Sequence, residues 1–339
     1  MKITNICAVP ISYRVPEGNK VRLGIGRAVK RDAVLVKVET NEGIVGWGES
    51  HHGRCPSAIA KLIDTTISEL ALGMDACNTV DVWSKIYRMQ LASHGMGYAS
   101  VMALSGLDLA LWDIRGKSLG LPLYRLLGGG SCSIPAYAVG ISLGWQDLQT
   151  NLRTKLACTF KAVIGHLNCE SVIPHCVTFI GSAPFRKRLV RASKLWSMAN
   201  TGYCLEDVCR VMPAFDDYGV FWLEEPFPAH DYRDYKIAST LGRVPLAAGE
   251  NHFTRFEYSR LVEDGAVRFA QSDLSKTGGI TEVCRIVALC SAWKITLNPH
   301  TSATGINIAA SIHMLAAADN AVNCVAHRRY LNTVPTGKQ

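Results

Sequence analysis

Residues 1–60 alternate apolar and polar positions with a period of two, the signature of strands that bury one face. The alternation breaks at Asn41-Glu42-Gly43, a turn sequence, so the segment predicts a β meander. Over residues 57–125 the spacing turns helical, and residues 103–127 keep it until Gly120 and Pro122. From Tyr218 a different unit recurs: a short apolar run, a polar residue at its end, then an amphipathic helix. The runs end Trp222-Leu223-Glu224, Ala248-Gly249-Glu250, Gln271-Ser272-Asp273 and Asn298-Pro299-His300. These ends recur at intervals of roughly 25 residues, against about 30 per unit in an eight-fold (β/α) barrel. Alternating strands and helices of that length imply a parallel sheet. In a barrel the C-terminal strand ends open on one face, so Glu224, Glu250, Asp273 and His300 are expected to converge there.

Singly, each residue has a plain reading. A strand-end Glu is a helix-cap neighbour or a surface acid, and a lone His is structural. Four such ends in register favour a shared site. Glu224 and Glu250 are hard oxygen donors suited to Mg²⁺, which keeps several waters and takes one or two carboxylates. His300 suits the role of general base, with Asp273 fixing its tautomer. A carbon acid beside a carboxylate is so weak that its removal calls for both a base and an electrophile.

Composition narrows the picture without redirecting it. The 339 residues, 48% hydrophobic and 19% charged, suffice for one large domain or a large and a small one. No apolar run is long enough for a membrane helix, and the first residues lack a signal-peptide pattern, so a cytoplasmic protein with no membrane partner is expected. Twelve cysteines are scattered with no Cys-x-x-Cys pair, which argues for free thiols over a structural zinc site. The net charge of +8 comes with no nucleic-acid motif, so it reads as an ordinary basic surface and no nucleic-acid partner is expected. The charge is concentrated in residues 146–198, with eight basic residues against Asp147 and Glu170.

The motifs together resemble the enolase superfamily, in the mandelate racemase-like branch of the mandelate racemase and muconate-lactonising enzyme family. The helix carrying Gly106-Leu107-Asp108-Leu109-Ala110-Leu111-Trp112-Asp113, followed by Gly116-Lys117, Pro122 and Leu127-Gly128, matches the family signature. Trp222-Leu223-Glu224-Glu225-Pro226 and Ala248-Gly249-Glu250-Asn251 match the motifs of its second and third metal ligands. Asp273-Leu274-Ser275-Lys276-Thr277-Gly278-Gly279 and Asn298-Pro299-His300 match its Asp–His dyad.

The resemblance implies an α+β capping domain over residues 1–125 and a modified TIM-type (β/α) barrel over 126–339. It implies one Mg²⁺ held by Glu224 and Glu250, catalysis by His300 and Asp273 with Lys276 in support, and a homo-oligomer acting on a small-molecule carboxylate. The cap's substrate loops correspond to residues 23–27 with His51, His52 and Arg54, and to the loop with His94. These polar groups suit a sugar acid, though solvated loop residues are an equal alternative.

Three features depart from the pattern. Met198 stands where the first metal ligand, an aspartate, precedes Ala199-Asn200-Thr201-Gly202-Tyr203; its thioether is a poor Mg²⁺ ligand, and Asn200 offers only a weak oxygen. After Phe160-Lys161-Ala162 the expected lysine pair is replaced by Ile164-Gly165-His166, leaving His166 as a weak acid/base candidate. No acid follows Asp319 to supply the eighth-strand group. The barrel is therefore expected to be distorted around 146–198 and truncated at its end. Abrupt edges to the basic block suggest a shifted reading frame or a degraded gene copy. If no other frame of the coding DNA restores Asp-Ala-Asn and Lys-x-Lys, that idea fails. Two functions follow: proton abstraction by a dehydratase, racemase, epimerase or cycloisomerase, or a catalytically impaired homologue.

Overall fold

The computed structural model describes residues 1–16, 29–130, 134, 194–217, 219–301 and 304–321, with short strands at 22–23, 26–27 and 176–178. The predicted meander forms β1 (Ile3–Arg14), β4 (Lys30–Thr40) and β5 (Val45–Ser50), an antiparallel sheet in the order β1-β4-β5. Between β1 and β4 lies a small hairpin of β2 (Arg22–Leu23) and β3 (Gly26–Arg27). Asn41-Glu42-Gly43 makes the turn, with Gly43 at φ 79°, a conformation that favours glycine. Along β4 the alternate residues Val34, Val36 and Val38 are fully buried, so one face of the sheet carries the core.

Helices cover that face. They are α1 (Pro56–Leu62), which runs through a π-helical turn into α2 (Ser68–Ala71), then α3 (Thr79–Ile86) and α4 (Gly97–Leu119). Every residue from 100 to 112 of α4 is buried, as expected of a helix that is apolar all round and sits between two layers. Leu104, Leu107 and Leu111 join the core of the meander; Leu109 and Trp112 join Leu274, Ile280 and Leu297 on the other side. The approach of α4 to β5 requires glycine on both elements. A methyl group at Gly48 would strike the carbonyl of Gly106, and one at Gly106 would strike Ser50 and Val36. Gly48→Ala is expected to cost about 1–3 kcal/mol by overpacking, read as a lowered urea midpoint.

Beyond α5 (Leu123–Leu126) the second body is a parallel sheet in strict sequence order: β6 (Cys176–Thr178), β7 (Lys194–Met198), β8 (Val220–Glu224), β9 (Leu246–Ala248), β10 (Phe269–Ala270) and β11 (Thr296–Leu297). A parallel bridge from Leu297 to Ala321 carries the same order one step further. The helices between and after these strands are α6 (Leu205–Asp217), α7 (Tyr232–Ala238), α8 (Thr254–Glu263), α9 (Gly279–Ala292) and α10 (Gly305–Ala317). An α+β body followed by parallel strand–helix units in sequence order is the arrangement expected from the sequence. The expected division at residue 125 falls inside α5, whose Leu123 and Leu126 pack with Leu274 and Ile280.

Of the anomalous block 146–198, the described residues are β6 and β7, both in register in the parallel sheet. His166 and residues 322–339 lie outside the described residues. Among the described residues the cysteines are free and no helix is long and apolar enough to cross a membrane.

One buried acid joins the two bodies. Asp108 of α4 accepts the Thr281 amide at 2.8 Å, and burial pushes its pKa up to about 7 despite that bond and the nearby Arg285. A carboxyl raised in the folded state stabilises most below its unfolded value and loses that contribution as pH rises through about 7. Wild-type melting temperature should therefore fall between pH 4 and 8 relative to Asp108→Asn, by the equivalent of up to a few kcal/mol.

Candidate active site

The strand ends carry the predicted residues to one place. Glu224 closes β8, Glu250 follows β9 by two residues, and Asp273 and His300 follow β10 and β11 by three. All four leave parallel strands at the same end of the sheet, so residues far apart in sequence meet. Gly249 makes the turn before Glu250 with φ 145°, and a side chain there would strike Tyr258 and the backbone of Gln271.

His300 sits between two carboxylates. Its Nδ1 is 2.8 Å from Asp273 Oδ2, and its Nε2 is 3.0 Å from Glu250 Oε2. Asp273 is fully buried; its other oxygen accepts from the Ser275 backbone amide (2.8 Å), the Ser275 hydroxyl (2.6 Å) and the Asn307 side-chain amide (3.0 Å). Burial disfavours the Asp273 anion, yet these donors and His300 hold its carboxyl well below the usual range. Burial likewise disfavours the imidazolium, but Glu250 and Asp273 outweigh it and raise His300 to about 9. Lys276 Nζ lies 3.5 Å from Glu250 Oε1 and 3.3 Å from Asn251 Oδ1. With His300 it overcomes the burial of Glu250 and keeps that carboxyl ionised.

In two other acids burial outweighs such support. Trp222 Nε1 donates to Glu224 Oε2 at 3.0 Å, but burial, helped by Glu250, pushes Glu224 up to about 7. Glu225 stands next to it with φ 38°, a strained value for a residue with a Cβ. Asn251 donates to its Oε2 at 2.8 Å, while Oε1 is buried without a hydrogen-bond partner among the described residues. Burial, with Glu250 adding to it, raises Glu225 to about 8.

The other predicted residues divide into two groups. His51 is brought in: its amide donates to the Ser275 carbonyl at 2.9 Å. Burial, with the charge of Lys276, lowers its imidazole to about 3, so it faces the site uncharged. His52 stacks on His51 with centroids 4.2 Å apart and is also pushed down by burial. Arg54 and His94 are exposed; the ring of His94 is engaged by Ser93 and by the Met89 carbonyl within its own loop. Met198 pairs in register with Glu224, so in these neighbouring parallel strands the thioether is directed to the same face as the carboxylate. Beyond it Asn200 adopts φ 50°, and the amides of Ala199 and Thr201 donate to the carbonyls of Glu224 and Glu225. Among the described residues no group of three His, Cys, Asp or Glu side chains is disposed to hold a metal ion.

Sequence reasoning missed Glu225, Asn251 and Asn307 as site residues. Glu225 and Asn251 were visible beside predicted ligands. Asn307 lies in α10, where no strand-end pattern marks it.

Comparisons with known proteins bear on this geometry. A family model described as mandelate racemase / muconate lactonizing enzyme, N-terminal domain, matches residues 9–128, and one described as enolase C-terminal domain-like matches residues 186–332. The D-galactonate dehydratase of Pectobacterium atrosepticum is 31% identical over 310 residues, covering 85% of this chain and 76% of the relative. The arabinonate dehydratase of Saccharolobus solfataricus is 30% identical over 298 residues, covering 85% of this chain and 78% of the relative. Among solved structures, a member of the enolase superfamily from Polaromonas sp. JS666 is 45% identical with a TM-score of 0.85, covering 95% of this chain and 85% of that chain. The 3,6-anhydro-D-galactonate cycloisomerase of Zobellia galactanivorans is 26% identical with a TM-score of 0.78, covering 95% of this chain and 86% of that chain.

Proposed function

We propose that this chain, which belongs to the mandelate racemase and muconate lactonizing enzyme family of the enolase superfamily, removes the proton α to the carboxylate of a sugar acid and expels the β-hydroxyl as water. The observation that carries this reading is the 2.8 Å contact between Asp273 Oδ2 and His300 Nδ1. With Nδ1–H donated to Asp273, Nε2 takes the substrate proton once it has lost its own and Glu250, which it meets here at 3.0 Å, has turned toward a cation. The C–H bond breaks, its proton goes to Nε2 and its electron pair passes toward the substrate carboxylate. The imidazolium then returns that proton to the departing β-hydroxyl, so one residue serves as base and then as acid. The relatives named as galactonate and arabinonate dehydratases favour this outcome over racemisation.

Two carboxylates rather than a group of three are offered to a divalent cation among the described residues. Among the described residues Lys276 and His300 form ion pairs with Glu250 and Asp273, and burial pushes Glu224 and Glu225, which form none, up to about 7 and about 8. Glu225 Oε1 is buried with no hydrogen-bond partner among the described residues. Glu224 and Glu250 would hold Mg²⁺, with Asn200 as a weaker oxygen donor, and water would fill the positions a third carboxylate would take. When bound, Mg²⁺ would act as a Lewis acid on the substrate carboxylate. Lys276 neutralises Glu250 in either state, and the uncharged His51 presents a hydrogen-bonding edge suited to hydroxyl groups. The reading includes a homo-oligomer in the cytoplasm acting on a small carboxylate.

The test is proton exchange. Aldonic acids incubated with the enzyme and Mg²⁺ in D₂O should exchange or lose the α-proton and yield a 2-keto-3-deoxy acid. Met198 on the site face favours a second reading, an impaired homologue. Millimolar or weaker Mg²⁺ binding by calorimetry, with no exchange on any aldonate, would establish the second reading and end the first.

A further inference from the structure

The contacts that fix Asp273 lead out of the barrel into the capping domain. We propose that Glu49, in the cap strand β5, is a positioning residue for the Asp273–His300 pair, acting through Asn307. Glu49 is fully buried, and its carboxylate sits at the N-terminus of α10. Its Oε1 accepts the Thr304 amide at 3.0 Å; its Oε2 accepts the Asn307 amide at 3.1 Å and the Thr304 hydroxyl. These amides have no partner within the helix, and a carboxylate complements the helix dipole there. Asn307, fixed at its backbone by Glu49, donates from its side chain to Asp273 Oδ1 at 3.0 Å and to Ser275 Oγ at 3.4 Å. Asp273 Oδ1 is thereby occupied and Oδ2 is left for His300.

A purely structural acid bridging two domains would need only the helix amides. Here the chain just past that strand makes a second hold: two residues on, the His51 amide donates to the Ser275 carbonyl. Cap residues 49–51 therefore grip both elements that donate to Asp273 Oδ1, the loop at Ser275 and the helix at Asn307. The base is assembled across the domain boundary rather than by the barrel alone. A Glu in the sequence Gly46-Trp47-Gly48-Glu49-Ser50 thus orients a carboxylate more than two hundred residues away.

This inference rests on reading Asp273 and His300 as the catalytic pair, so the test begins with a signal that needs no turnover. In full-length protein with ¹⁵N-labelled histidine, the His300 Nδ1–H bonded to Asp273 should give a downfield proton resonance. Wild type lacking that resonance would overturn the reading of the pair. Glu49→Gln and Asn307→Ala should each broaden or shift it, while calorimetric Mg²⁺ affinity stays within a factor of two. In turnover the same variants should lower kcat by tenfold or more with KM little changed. A resonance and a kcat both unaltered in Glu49→Gln would overturn this inference alone. Should Glu49→Gln fail to fold, Thr304→Val removes one of the same contacts and must perturb the resonance; an unperturbed signal there overturns the inference equally.

Discussion

His300→Asn is expected to lower α-proton exchange on a turned-over aldonate by about 10²–10⁴-fold, the usual contribution of a positioned general base. The residue is held on both ring nitrogens, by Asp273 at 2.8 Å and Glu250 at 3.0 Å, and the neighbouring nitrogen, Lys276, is kept charged by Glu250 and Asp273 against its burial and so is no base. The nearest imidazole with a described link to this loop, His51, is tied by its amide to Ser275 and lowered to about 3, too weak a base to substitute. Asp273→Asn should lose most of the same activity. An amide carries no charge to stabilise the imidazolium and can present a hydrogen to Nδ1 instead of accepting one. Mass-spectrometric deuterium incorporation reads both variants; exchange within threefold of wild type in His300→Asn would remove His300 from the mechanism.

Met198→Asp is expected to raise Mg²⁺ affinity at least tenfold, about 1.4 kcal/mol, and to raise the exchange rate with it. Met198 pairs in register with Glu224 at adjacent strand ends, so a carboxylate placed there reaches the face where Glu224 lies. It replaces a soft thioether with a hard oxygen donor, and Mg²⁺ affinity follows ligand charge and hardness. Without metal the substitution should destabilise the protein, because a further, half-buried acid joins Glu224 and Glu225, both already pushed up by burial. Opposite signs in the absence and presence of Mg²⁺ distinguish a completed site from a damaged core. Calorimetry and thermal melts check both; unchanged affinity would mean that the end of β7 does not face the ion.

The legible and illegible parts of the site differ in how they are encoded. Glu224, Glu250, Asp273 and His300 were readable because each closes a short apolar run, and parallel strands in sequence order must bring their ends to one edge. Asn251 and Glu225 sat inside those motifs but carried no sign of their roles, which depend on shared hydrogen bonds at 2.8 and 3.2 Å. Glu49 and Asn307 were out of reach. A glutamate at the end of a meander strand reads as an ordinary surface acid, and its partner amides lie 255 and 258 residues further along. Exposure separated His51 and His52 from Arg54 and His94, a distinction absent from a list of polar loop residues.

By itself the sequence determined the element types, the parallel order of the second body and the carboxylate-and-histidine chemistry at its strand ends, because hydrophobic period and chain order are local or nearly local properties. It also determined that a methionine stands at the end of β7. Only the tertiary structure decided which charges neutralise one another. Charge balance depends on distance and burial: Lys276 and His300 fall beside Glu250, leaving Glu224 and Glu225 with raised pKa values. The same folding carried Glu49 of the cap to the helix that holds Asp273, which makes the base a property of both domains together.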